Sequence, residues 1–168
     1  MNLAMALEMS AECFPDRIAV SSDGKNMTYG ELLSAAKRAA AEIKASGVKY
    51  VGLLDISSLA VPVAVFASAF AGVPYVPLNY RLTKPELEEL LERISPAYLV
   101  TDTPAISPLT VPAGVQVVLR EDFLKLARSA GPQAESAPGE PSDVAIQLFT
   151  SGTTGKPKAA VLRHENLM

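Results

Sequence analysis

Residues 149 to 158 read Phe-Thr-Ser-Gly-Thr-Thr-Gly-Lys-Pro-Lys, so four hydroxyl side chains, two glycines and two lysines fall within one short stretch. Gly152 and Gly155 leave no Cβ in the way and accept backbone angles closed to other residues, so consecutive N–H groups can converge on an anion. Thr150, Ser151, Thr153 and Thr154 add donors that carry no charge. Lys156 and Lys158 supply positive charge, each as a mobile point charge rather than a planar fork. The chemistry this composition fits is the holding of a polyphosphate.

The segment is not the common nucleotide P-loop, which needs Ser or Thr after its Gly-Lys pair; here Gly155-Lys156 is followed by Pro157. Proline biases the residue before it to an extended backbone, and Lys158 to Arg163 is short, apolar at Val161 and Leu162, and free of turn signals, which predicts a strand. Upstream, Ala145 to Phe149 reads as the strand that delivers the loop at its carboxyl end, where open α/β sheets place their ligands. The expected unit is strand, phosphate grip, strand.

The rest of the chain supplies elements able to position that unit. Leu3, Ala6, Leu7 and Ser10 share one helical face, and Ile18 to Ser21 with Asn26 to Thr28 read as a hairpin around Asp23-Gly24. Thr28 and Glu31 form a capping box for a helix running to about Ser46, with Leu32, Ala36, Ala40 and Ile43 as its apolar stripe and Gly47 as its stop. Tyr50 to Leu54 is a strand, Leu59 to Ala71 a buried helix, and Tyr75 to Pro77 a strand. Thr83 and Glu86 open another helix along Leu87, Leu90, Leu91 and Ile94, followed by strands at 98–101 and 115–119 and a short helix at 122–128. Strands alternating with helices predict a doubly wound, largely parallel sheet with flanking helices. Residues 130–142, rich in Pro, Gly and Ala, read as a surface linker between an α/β subdomain at 1–129 and the loop-bearing segment at 143–168.

Composition narrows the function further. Of 168 residues, 49% are apolar and 20% charged, which is ordinary for one globular unit with a sizeable core. A net charge of −3 argues against a nucleic-acid partner, yet residues 150–168 hold Lys156, Lys158 and Arg163 against Glu165 alone. Positive charge is thus concentrated at the proposed phosphate site. Cys13 is the only cysteine and His164 the only histidine, which excludes an internal disulfide and a histidine-rich metal cluster. No residue between Asp55 and Arg81 is charged, but Pro62, Gly72, Pro74 and Pro77 divide that stretch into elements too short to span a bilayer. With Glu8 and Glu12 near its start and no basic region there, the chain is expected to lack a secretion signal and to be cytoplasmic.

Several stretches together resemble the adenylate-forming enzymes, the AMP-binding superfamily of acyl-CoA and aryl-CoA synthetases, luciferases and peptide-synthetase adenylation domains. Thr150 to Lys158 is similar to that family's ATP loop position by position, and His164-Glu-Asn-Leu167 to the segment after it. Met27-Thr-Tyr-Gly-Glu-Leu32 and Ala71-Gly-Val-Pro-Tyr-Val-Pro-Leu-Asn-Tyr-Arg-Leu82 resemble its upstream landmarks in the right order. The resemblance runs from about Phe14 to Met168 and implies the N-terminal portion of a ligase that uses ATP with Mg2+ to convert a small carboxylic acid, a fatty acid among the candidates, to an acyl-adenylate. It then forms a thioester with coenzyme A. Implied site residues are Thr150, Ser151, Gly152, Thr153, Thr154, Gly155 and Lys158 for the nucleotide, Lys158 as the cation that stabilises departing pyrophosphate, and His164 near the reaction. Lys156 falls where the family varies and can equally be a solvated charge. His164 can equally be a cap or packing residue, and Asn79 to Leu82 resembles the CoA ligases more than peptide synthetases but can equally be a plain turn and helix approach before Thr83. One departure is Ala159, where the family carries glycine, which bears on how closely the backbone packs there. The 168 residues alone are expected to be inactive. The alternatives are an adenylation domain with another acceptor, as in peptide synthetases, and a non-catalytic phosphate-binding or interaction module.

Overall fold

A computed structural model describes residues 2–135, 139–150 and 157–168. The described chain runs α1 (Leu3–Cys13), β1 (Ile18–Ser22), β2 (Lys25–Thr28), α2 (Tyr29–Ser46), β3 (Tyr50–Leu54), α3 (Ala60–Ala71), β4 (Tyr75–Pro77), α4 (Lys84–Arg93), β5 (Ala97–Thr101), α5 (Thr103–Ile106), β6 (Val115–Leu119), α6 (Arg120–Ala127), β7 (Val144–Thr150), β8 (Lys158–Arg163) and α7 (His164–Leu167). β1 and β2 form a separate hairpin across the Asp23–Gly24 turn. The main sheet has the order β6-β5-β3-β4-β7-β8, parallel throughout except for the antiparallel β7–β8 pair. This is the doubly wound, mainly parallel α/β sheet that the alternation of elements predicts.

The side-chain period of two explains why the central strands are apolar throughout. Val51 and Leu53 of β3, Tyr75 of β4, and Tyr98 and Val100 of β5 face a core built with α1, α2, α3 and α6. Leu54, Val76, Ala97 and Leu99 face the opposite core with Leu87, Leu90 and Leu91 of α4. Between them Gly52 lies so close to its neighbours that an added Cβ would meet Leu99 Cδ1 at 3.0 Å and Ile94 Cδ1 at 3.2 Å.

Local signals set the helix starts. Thr28 Oγ1 accepts from the Glu31 N–H at 3.2 Å and Glu31 Oε2 accepts from the Thr28 N–H at 2.8 Å, closing the predicted box reciprocally. At α4 the Glu86 carboxylate accepts from both the N–H (2.8 Å) and the hydroxyl (2.7 Å) of Thr83. These bonds hold the Glu86 carboxyl below the usual range, the Thr83 hydroxyl contributing most. The sequence reading missed α5, which Asp102 caps by accepting from the Ala105 N–H at 2.9 Å.

The connector is only partly the free surface segment expected. Residues 131–135 lie along α2: Gln133 Nε2 donates to Ser34 Oγ at 3.2 Å, the Ala134 N–H to the Lys37 carbonyl at 2.9 Å, and Lys44 Nζ to the Glu135 carbonyl at 3.2 Å. Ala134 is buried, and Gly131 passes so close to Arg38 that a Cβ would stand 2.6 Å from Nε. Polar backbone found partners on an exposed helix face, which composition does not reveal. Digestion by a glutamate-specific protease is expected to begin after Glu135 or Glu140, before any cut at Glu31 or Glu42 within α2. Fragment masses at early times check this, and first cleavage inside residues 29–46 would contradict it.

Candidate functional site

β7 and β8 place Thr150 opposite Lys158, at the end of an antiparallel ladder that runs back through Phe149–Ala159 and Gln147–Val161 to Val144–Arg163. β7 joins the parallel sheet through Ile146 beside Tyr75 of β4, so its carboxyl end lies at the edge where β3 and β4 also end. The Thr150 hydroxyl donates to the Lys158 carbonyl at 3.4 Å, a long bond across the mouth of the hairpin. Lys158 is exposed, and among the described residues it makes no ion pair, so its charge is not neutralised locally. Ser151, Gly152, Thr153, Thr154, Gly155 and Lys156, expected in the phosphate grip, lie outside the described residues. Ala159 is exposed on β8, so the methyl group it adds relative to glycine points into no crowded core.

Beside the hairpin, at the carboxyl ends of β3, β4 and β7, lies an open crevice of about 410 Å³. Ile56, Pro77, Asn79, Tyr80 and Phe149 line it, and Asp55 forms part of its floor. Burial, and secondarily the charge of Asp55, pushes the Tyr75 phenol up to about 12, so it stays a neutral wall near pH 7.

The sequence reading missed a charged cluster on the same edge. The Asp55 side chain is 0% exposed, and Oδ1 accepts from Arg120 Nη1 at 2.5 Å and from the Ile56 N–H at 2.8 Å. Ser58 Oγ donates to Oδ2 at 3.3 Å, and Asp102 stands 3.9 Å from Arg120 Nη1. Asp55, Asp102 and Arg120 each follow the carboxyl end of a strand. A single charge directly after an apolar strand is the signal that could have found them, because that edge is where such sheets carry polar function.

His164, a candidate for a place near the reaction, directly follows the end of β8. It stands six residues along β8 from Lys158, about 20 Å in extended chain, and at the opposite end of the hairpin. Its Nδ1 accepts from the Leu3 N–H at 3.3 Å, and its own N–H donates to the Asp143 carbonyl at 3.1 Å. Leu3 opens α1, so the imidazole satisfies one of the orphan donors of that helix. In this structure the imidazole therefore contacts the start of α1, away from the hairpin mouth.

Burial holds the His164 pKa below its ordinary value, with Asp143 opposing. A protonated Nδ1 cannot accept from Leu3. The unfolded chain therefore takes up the proton first, and this stabilisation is complete above the unfolded value near 6.5 and lost as pH falls through the folded value. His164→Gln, which keeps an acceptor and removes the titration, is expected to flatten the decline of the unfolding midpoint between about pH 7.5 and 5.5. Parallel wild-type and variant profiles would show that His164 does not carry it.

The family model described as AMP-binding enzyme matches residues 7–168. The chain is 31% identical to tyrocidine synthase 1 of Brevibacillus parabrevis over 99% of its own length and 15% of that protein's. It is 32% identical to a feruloyl-CoA synthase of an Amycolatopsis species over 94% of its length and 32% of the relative's. The benzoate CoA ligase of Burkholderia xenovorans LB400 superposes with a TM-score of 0.85 at 27% identity, over 99% of this chain and 35% of that one. The chain thus spans about a third or less of the length of these relatives. No helix among the described residues is long and apolar enough to cross a membrane.

Proposed function

The chain belongs to the AMP-binding enzyme family, and from that premise we propose that it contributes the phosphate grip of an ATP-dependent carboxylic acid:CoA ligase. The observation that carries this reading is the β7–β8 hairpin, which sets Thr150 opposite Lys158, a cation with no ion pair among the described residues, at the carboxyl edge of a parallel sheet. Between them the chain runs through Ser-Gly-Thr-Thr-Gly-Lys, whose N–H groups and hydroxyls suit the β- and γ-phosphates of ATP.

In the reaction a carboxylate oxygen of the acid attacks the α-phosphorus in line. The new O–P bond gives the acyl-adenylate as the bond to the β-phosphate oxygen breaks, and pyrophosphate leaves carrying the electron pair. Negative charge grows on the departing group, so catalysis from these residues is positioning and electrostatics. Thr150, Ser151, Gly152, Thr153, Thr154 and Gly155 hold the phosphates, Lys158 offsets the developing charge, and Mg2+ arrives with ATP. A thiolate of coenzyme A then displaces AMP from the acyl carbon.

Asn79-Tyr80-Arg81-Leu82 supports the CoA-ligase branch, and Asn79 and Tyr80 line the crevice beside the hairpin. The extent of likeness to tyrocidine synthase 1 favours a second reading, an adenylation domain that loads a carrier protein. Acid-dependent ATP–pyrophosphate exchange by the full-length protein over aromatic, fatty and amino acids, followed by a CoA thioester assay with each acid that supports exchange, tests both. Exchange together with thioester formation is expected. Exchange confined to amino acids with no thioester selects the second reading, and ATP binding without exchange for any acid sinks both.

A further inference from the structure

Arg93, the last residue of α4, reaches across to β7 and to the residue just ahead of β8. Its Nη1 donates to the Pro157 carbonyl at 2.6 Å, and its Cζ stands 4.9 Å from the centroid of the Phe149 ring. Phe149 is partly buried against the apolar cluster of α4, which fixes that ring as a platform. Among the described residues no carboxylate pairs with Arg93. A guanidinium can lay its charged face on a ring while an edge N–H points at a carbonyl; a glutamine amide has the plane without the charge, and a lysine has the charge without the face.

We propose that Arg93 is a positioning residue that ties together the end of β7 and the approach to β8, and so sets the spacing at which the hairpin presents Thr150 and Lys158 to a nucleotide. Pro157 has no N–H to join the ladder, and its carbonyl lies just ahead of Lys158. The Arg93 contact gives that carbonyl a charged donor. Phe149 immediately precedes Thr150, so one side chain holds the neighbours of both residues that face each other across the mouth. The nucleotide part of the proposal rests on the reading given under Proposed function; the anchoring part does not.

The test uses the full-length protein with Arg93→Gln and Arg93→Lys, and Arg17→Gln as a control, because Arg17 makes a comparable ring contact with Phe14 at 5.2 Å, outside the hairpin. Arg93→Gln is expected to weaken Mg-ATP binding about five- to tenfold by calorimetry, with Arg93→Lys between it and wild type and Tm moved by less than about 2 °C. In pyrophosphate exchange the KM for ATP should rise more than kcat falls. Without nucleotide, Arg93→Gln should speed amide hydrogen exchange at residues 148–150 and 158–160 by at least about fivefold while other segments stay unchanged. Unchanged Mg-ATP affinity in Arg93→Gln, or a loss matched by Arg17→Gln, overturns the positioning role. Should wild type bind no Mg-ATP, the proposed function fails and the exchange measurement decides the anchoring: acceleration at those amides upholds it, and unchanged exchange rejects it.

Discussion

Lys158→Ala in the full-length protein is expected to slow acyl-adenylate formation by about 10²- to 10³-fold, roughly 2.7–4 kcal/mol, while the Kd for ATP changes by less than about threefold. The difference comes from when the charge is needed. On the proposed function, ground-state ATP would keep the N–H groups and hydroxyls of the loop, with its charge already spread over three phosphates and Mg2+. The transition state adds negative charge to the leaving pyrophosphate, and only interactions stronger there than in the ground state raise the rate. Lys158 begins β8 opposite Thr150 and spends its charge on no described carboxylate, so it is available for that task. Lys156→Ala, one residue before Pro157, is expected to cost much less. Quenched-flow measurement of adenylate formation with both variants checks the ranking. Equal losses, or a Lys158 defect confined to the ATP KM, would refute the role.

What the sequence made legible was local or periodic. The Thr28–Glu31 box, the stripe of α2, and the two strands that flank residues 151–156 all depend on residues a few positions apart, and all are found. The parallel sheet followed from alternation of elements, and Pro157 predicted that β8 would follow the loop as a strand. Boundaries moved by a residue or two, as at α6, which begins at Arg120 rather than Asp122.

What stayed hidden depends on partners far apart in sequence. Leu3 meets His164 and Asp55 meets Arg120 only after the sheet has formed, so nothing local in the sequence marks either contact. The connector at 131–135 found α2 through backbone groups, which carry no compositional signature. The short α5 has too few residues for any period, and Asp102 with Pro104 at the second helical position was its single mark.

The Asp55–Arg120 pair gives the second large expected effect. Arg120→Leu is expected to destabilise the domain by about 3–5 kcal/mol, because it strands a carboxylate with no solvent access and leaves it only the Ile56 N–H and the Ser58 hydroxyl. Asp55→Asn should cost less, about 1–2 kcal/mol, since the arginine left behind is 26% exposed and has Asp102 within 3.9 Å. The asymmetry is the diagnostic: a surface ion pair would lose less than about 1 kcal/mol from either side. Combining the two changes removes the stranded charge, so the double variant should be more stable than Arg120→Leu alone, a coupling that a double-mutant cycle of urea unfolding midpoints at unchanged m measures directly. Additive losses would mean that Asp55 is hydrated or otherwise paired. If the coupling is found, the charges that follow β3, β5 and β6 act as a brace for the sheet edge that also bears the β7–β8 hairpin. Arg120→Leu should then loosen the crevice wall at Ile56 before it unfolds the core around Phe70, in that order by hydrogen exchange.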